Sequence, residues 1–209
     1  DNKKIKREAI LDAAFLLFTT KGLTKTSVAD ITSAAGVAKG TFYLYFKDKY
    51  DLRDKLIVHK SNEIFQRAEE ETKSREMADL EEHIIAMIDN ILNQFVEDTT
   101  LLNFIAKNLS WGIFTNAVAG ATEENNFYEL YHAMFENSPV KYEKPEIMMY
   151  IIIEMISSSC YSSILNEEPV GIEELKPYLL QTVRQIMRSH RLDLSLIHIS
   201  EPTRPEPIS

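Results

Sequence analysis

The sequence predicts an all-α protein, with an N-terminal three-helix domain built round a helix-turn-helix and a larger helical domain behind it. Three observations carry that expectation. Apolar residues recur at three- and four-residue spacing in one segment after another, with no strand-type alternation and no internal repeat. Gly36 separates two short segments of this kind at a distance that suits a tight turn. Charge is split along the chain: residues 1–60 hold 12 Lys and Arg against 7 Asp and Glu (+5), and the remainder holds 11 against 25 (−14), within a total of −9. A 209-residue chain with 44% hydrophobic residues can bury a substantial core, which excludes general disorder.

Residues 3–20 are expected to form a first helix, with Ile10, Ala14, Leu17 and Phe18 on one face and Gly22 ending it. Its basic start (Lys3, Lys4, Lys6, Arg7) suits either approach to a polyanion or a solvated helix end. Thr26 to Lys49, TSVADITSAAGVAKGTFYLYFKDK, reads as two helices and a turn. Ser27 followed by Asp30 fits a capped start, and Val28, Ile31 and Ala35 make one apolar face. A second helix runs from about Ala38, with Phe42 and Phe46 inward and Lys39, Thr41, Tyr43 and Tyr45 outward as hydrogen-bond donors. A long connecting helix follows from Asp48 to about Lys73, with Leu52, Leu56 and Ile64 inward.

Further helices are expected over Leu80–Val96, Leu101–Ala119 (as two) and Glu123–Glu136. After a loop over Ser138–Lys144, Glu146–Leu165 is strongly apolar, and Asn166–Gly171 is a break. Leu175, Leu179, Val183, Ile186 and Met187 mark the last helix, with Pro177 placed in its first turn. Nine or ten helices result. The domains expected are 1–50, 51–192 and, as a non-native or disordered tail carrying three prolines, 193–209.

A helix presented this way suits the major groove of double-stranded DNA, with flanking hydroxyls and amines on phosphates. The run Ile10 to Phe18, then Gly22, then TSVADITSAAGVAKGTFYLYFKDKYDL resembles the DNA-binding domain of the tetracycline-repressor (TetR) family of bacterial transcription regulators. The resemblance covers residues 5 to about 56 at motif level. It implies base and phosphate contacts from Ala38, Lys39, Gly40, Thr41 and Tyr43, and phosphate contacts from Thr26, Ser27, Tyr45 and Lys49. It also implies a homodimer on a palindromic operator, regulated by an unidentified small molecule held in the second domain.

Candidates for lining such a pocket are Met87, Phe95, Phe104, Trp111, Phe114, Phe127, Tyr131, Met134 and Met155, although any helical core needs residues of this kind. The last two helices are the expected dimer surface, through Ile152, Met155, Ile156, Ser159, Cys160, Leu179, Val183 and Ile186. Cys160 is the only cysteine, so no disulfide closes within one chain, as expected in a reducing cytoplasm. The longest apolar run, Ile147 to Ile156, is broken by Glu154 and reads as too short to span a bilayer, so a soluble protein is expected. Glu129 and His132 form a single E-x-x-H, whereas di-iron bundles need two such motifs, so no metal, cofactor or enzymatic site is expected. Three rival roles share the pattern: a ligand-independent architectural or cell-division factor on DNA, an activator instead of a repressor, and a helical small-molecule carrier or enzyme with a vestigial head.

Overall fold

Two glycines set the geometry of the N-terminal domain. The computed structural model describes residues 2–73, 75, 77–106 and 127–192, with backbone alone at 106 and 127–131. Helix α1 (Asn2–Thr20) ends where Gly22 takes a left-handed φ of +87° and its amide turns back to the Leu17 carbonyl. Helix α2 (Val28–Ala34) ends the same way: Gly36 sits at φ +66°, and the Val37 amide reaches the Thr32 carbonyl. At its start Ser27 and Asp30 form the reciprocal capping box. Helix α3 (Lys39–Tyr43) follows. The three helices close on a core of Ile10, Leu11, Ala14, Phe18, Ile31, Phe42 and Phe46.

That core is completed from outside the three-helix domain. Leu52 and Leu56, on the first turns of the 25-residue helix α4 (Lys49–Lys73), are fully buried in it. Farther along, Ile64 of the same helix belongs to the core of the second domain. There α4 packs on α5 (Leu80–Glu97), and α6 (Thr99–Ala106), α7 (Phe127–Glu136), α8 (Pro145–Asn166) and α9 (Ile172–Ser189) complete the bundle. The described residues hold no strand, only one isolated antiparallel bridge between Tyr142 and Arg191 that ties the loop before α8 to the chain after α9.

Three expectations need correction. Pro177 lies six residues into α9, because Gly171 and Ile172 begin the helix a turn earlier than its apolar periodicity shows. The proline removes one intrahelical hydrogen bond there, on a face where both Pro177 and Glu173 are exposed. Second, α8 has 22 residues and is apolar enough to cross a bilayer by length and composition, unlike the shorter run read from the sequence. Here its inner face, Met148, Ile152, Ile156 and Cys160, is buried in the protein's own core. Third, that placement displaces much of the expected dimer surface. Ile152, Ile156, Cys160, Leu179 and Val183 are buried within the protomer, and Met155 and Ile186 pack against the same core. Ser159 is half-buried. The outward apolar face of α8 is instead Ile147, Tyr150 and Ile151, each more than 40% exposed.

Helix α9 is fixed to α5 by a buried carboxylate. Glu81, 2% exposed, accepts from Arg188 Nε (3.1 Å) and Nη2 (2.9 Å), from Arg184 Nη1 (3.3 Å), and from Arg191 Nη2 (2.7 Å). Burial alone would raise its pKa, but the bonds from Arg188 and Arg184 hold it below the ordinary 4.5. A depressed carboxylate contributes stability that is present above its unfolded pKa and lost as pH falls through the folded one. Glu81→Gln is therefore expected to lower the melting temperature at pH 7 and to show a weaker further loss than the parent below about pH 4.5. Calorimetry across that range measures both.

Candidate nucleic-acid interface and the cavity behind it

Helix α3 presents its N-terminal face to solvent because Phe42 and Phe46 anchor the opposite side. Ala38, Lys39 and Gly40 are exposed, Thr41 is half-buried, and Tyr43 is 53% exposed with its ring edge-on to Phe42 at 5.3 Å. Leu44 follows at 75% exposure. These residues stand together on the basic domain with space round them; nothing lies within 4 Å of a Cβ built on Gly40. Ser27 is exposed, but its hydroxyl already accepts the Asp30 amide at 3.1 Å. Asp30 is held down at about pKa 2, first by its bond with Lys21 and then by the Ser27 amide and hydroxyl, so the cap keeps its charge through mild acid.

Three residues expected on phosphate are engaged inside the protein. Thr26 is buried and its hydroxyl donates to the Gly22 carbonyl at 2.8 Å, so it fastens the corner between α1 and α2. Lys49 is half-buried, and its ammonium donates to the carbonyls of Leu23, Thr24 and Thr26 at 3.0, 3.2 and 3.0 Å. An ammonium has three protons, and all three are used. Lys49 thus closes the α1–α2 loop from the start of α4. The Tyr45 hydroxyl donates to the Lys3 carbonyl at 3.0 Å, which ties the beginning of α1 to the end of the helix-turn-helix. A sequence pattern shows donors but not whether backbone carbonyls surround them.

Behind this domain the body holds a partly open cavity of about 120 Å³. Of the residues expected to line it, Met87, Phe95 and Met134 do so. Trp111 and Phe114 lie outside the described residues, as do the side chains of Phe127 and Tyr131. Met155 packs against the core without reaching the cavity. The walls missed by sequence reading include Ile64 and Phe65 of α4, Ile84 and Ile88 of α5, and Ile152 and Ile156 of α8. Aliphatic positions of a helix look alike whether they meet a neighbour or a void, so no pattern separates them.

Phe104 was expected in the pocket and is found at the joint instead. Its ring meets Phe15 of α1 edge-on, centroids 5.4 Å apart, and it packs against both hydrophobic cores. The next residue on α6, Ile105, is a wall of the cavity. Lys60 of α4 lies over the Phe15 ring at 5.1 Å. One turn of α6 therefore touches the cavity on one side and the N-terminal domain on the other.

The sequence profile of bacterial regulatory proteins of the tetR family matches residues 10–56. That stretch carries the signature of the TetR family. The matching stretch ends at Leu56, the last α4 residue contributed to the head core. The fatty acid metabolism regulator protein of Bacillus subtilis is 38% identical over 76 residues, 36% of this chain and 39% of that protein. The regulator AcrR of Shigella flexneri is 50% identical over 46 residues, 22% and 21% of the respective chains. The chain thus spans less than two fifths of each of these relatives. A TetR-family regulator from Shewanella sp. PV-4 superposes with a TM-score of 0.61 at 19% identity, covering 90% of this chain and 98% of its own. FadR from Bacillus subtilis, solved with stearoyl-CoA, superposes at 0.53 and 21% identity, over 84% and 96%. These superpositions extend the TetR fold to the helical body.

Among the described residues no group of three His, Cys, Asp or Glu could hold a metal ion. Lys49→Met is expected to cost the head about 1–3 kcal/mol, since three carbonyls lose their partner. Lys39→Met, at an exposed position, should stay within about 0.5 kcal/mol of the parent. Urea denaturation of both variants compares them.

Proposed function

We propose that this protein is a sequence-specific DNA-binding transcriptional regulator: a homodimeric repressor that leaves a palindromic operator when a small molecule occupies the body. The observation that carries the proposal is the exposed Ala38–Tyr43 face of α3 within an N-terminal stretch, residues 1–60, of net charge +5. Lys39 would meet guanine edges or phosphate, Gly40 would allow close backbone approach, and Thr41 and Tyr43 would add hydroxyl donors. Ser27 and the basic start of α1 would meet phosphate on the flanks. The acidic remainder of the chain, residues 61–209 at −14, disfavours indiscriminate adhesion to nucleic acid.

The DNA-reading and regulatory parts divide near residue 50, at the start of α4. A molecule in the cavity presses on Ile64 and Phe65 of α4 and on Ile105 of α6. Both helices also bear on the head, through Leu52 and Leu56 and through Phe104. A ligand that favours the non-binding arrangement by a coupling of roughly 1–3 kcal/mol is enough for release. Similarity in fold to a FadR solved with an acyl-CoA supports a ligand-holding body. So does a cavity left open among packed helices, which weighs against a purely architectural role. Ile147, Tyr150 and Ile151 of α8 would meet their counterparts across a two-fold axis, and such a dimer acts in the cytoplasm, where its DNA is.

Selection of genomic DNA fragments by the full chain at moderate salt tests the proposal, with Tyr43→Ala as control. The parent should recover a palindromic site that the variant loses, while the two melt within a few degrees of each other. Recovery of the same DNA by both proteins would leave only charge-driven binding and would defeat the proposal.

A further inference from the structure

We propose that the cavity takes an uncharged, hydrogen-bond-poor lipophilic molecule, a neutral hydrocarbon chain with at most one hydroxyl or carbonyl, and rejects both cations and anions. The net charge of the body points the other way, towards a cationic ligand. The walls decide against it. None of the described lining residues is Asp, Glu, Lys, Arg or His. The polar ones are Ser61, Ser157 and Cys160.

Two of those three have their donors turned into their own helices. The Ser61 hydroxyl donates to the Ile57 carbonyl at 2.8 Å, and the Cys160 thiol points to the Ser157 carbonyl at 3.5 Å. Burial pushes the Cys160 thiol up to about 12, so it stays neutral and offers no thiolate to a cation. Ser157 is left as the lining hydroxyl that a single polar atom of a ligand could meet. An ion entering here would shed its hydration shell and gain no partner, which no close fit of its carbon chain offsets. The described acidic residues of the body lie elsewhere, among them Glu81 paired with Arg188 and Glu71 paired with Arg67.

Size narrows the class. The cavity, about 120 Å³, is on the order of the apolar void of roughly 150 Å³ that stays dry and admits benzene in another protein. A chain of medium length fills it. The inference rests on the effector role proposed above, and its test is independent of DNA.

Titration calorimetry on the full chain at pH 7.5 with 1-octanol, octanoate and octyltrimethylammonium compares one chain with three head-group charges. Octanol should bind saturably, with each ion at least tenfold weaker. Met87→Trp and Ile153→Trp, which fill the cavity from α5 and α8, should each weaken octanol binding at least tenfold, and circular dichroism checks that each folds. Ser157→Ala should weaken octanol a few-fold while leaving octane unaffected. Equal binding of octanol and either ion, undiminished octanol binding in both folded tryptophan variants, or no binding of octanol would each overturn the inference. If the parent still selected a palindromic site after any of those results, the DNA-binding role would stand and the ligand class alone would fall.

Discussion

One unbroken helix serves two hydrophobic cores, and every other relation in the molecule follows from it. Leu52 and Leu56 of α4 are sealed into the head, and Ile64 and Ala68 of the same helix are buried in the body. Removing Leu52, Leu56 or Ile64 from its core costs a few kcal/mol, a large share of the net stability of a small domain. Neither core can therefore release α4 cheaply, and the two domains cannot rotate as beads on a flexible link. Phe104 against Phe15 adds a second, smaller contact beside it. Motion imposed on α4 or α6 from the body side has to be answered in the head.

The polar groups of the head divide into those that build it and those left outward. Ser27 and Asp30 spend their hydrogen bonds on the amides at the start of α2, Lys49 and Thr26 on carbonyls of the α1–α2 loop, and Tyr45 on the Lys3 carbonyl of α1. A five-residue helix has almost no ladder of its own, so it is held by Phe42 beneath and by the Tyr45 tether just past its end. This arrangement holds Lys39, Gly40 and Tyr43 rigidly without enlisting them. Rigid placement of a few exposed groups is what reading a base edge requires.

Most of this architecture was legible in the sequence, because periodicity and glycine punctuation are local signals. The capping box at Ser27 and Asp30, the left-handed turn at Gly36 and the inward pair Phe42 and Phe46 all follow from residues within a few positions of one another. The failures share a cause. Whether Phe104 faces a void or a neighbouring domain, whether Ile152 faces a partner or its own core, and whether Lys49 meets solvent or three carbonyls all depend on elements far away in sequence. The start of α9 was misplaced for a different reason: Gly171 supplies a cap without a side chain, which leaves only a weak trace before Ile172. The apolar helix α8 shows the same limit, since one sequence run provides both a cavity wall at Ile152, Ile153 and Ile156 and an outward face at Ile147, Tyr150 and Ile151.

Rigid transmission from body to head is the central claim, and the distance between the two heads of the proposed dimer tests it most directly. Cys160 is buried, so a cysteine introduced at the exposed Lys47 takes a spin label selectively. Pulsed electron-electron resonance between the two labels then reports head spacing with the cavity empty and filled. A single narrow distance that moves by several ångströms when a cavity ligand binds is the predicted result. A broad distribution, or a narrow one that a bound ligand leaves in place, would contradict the account.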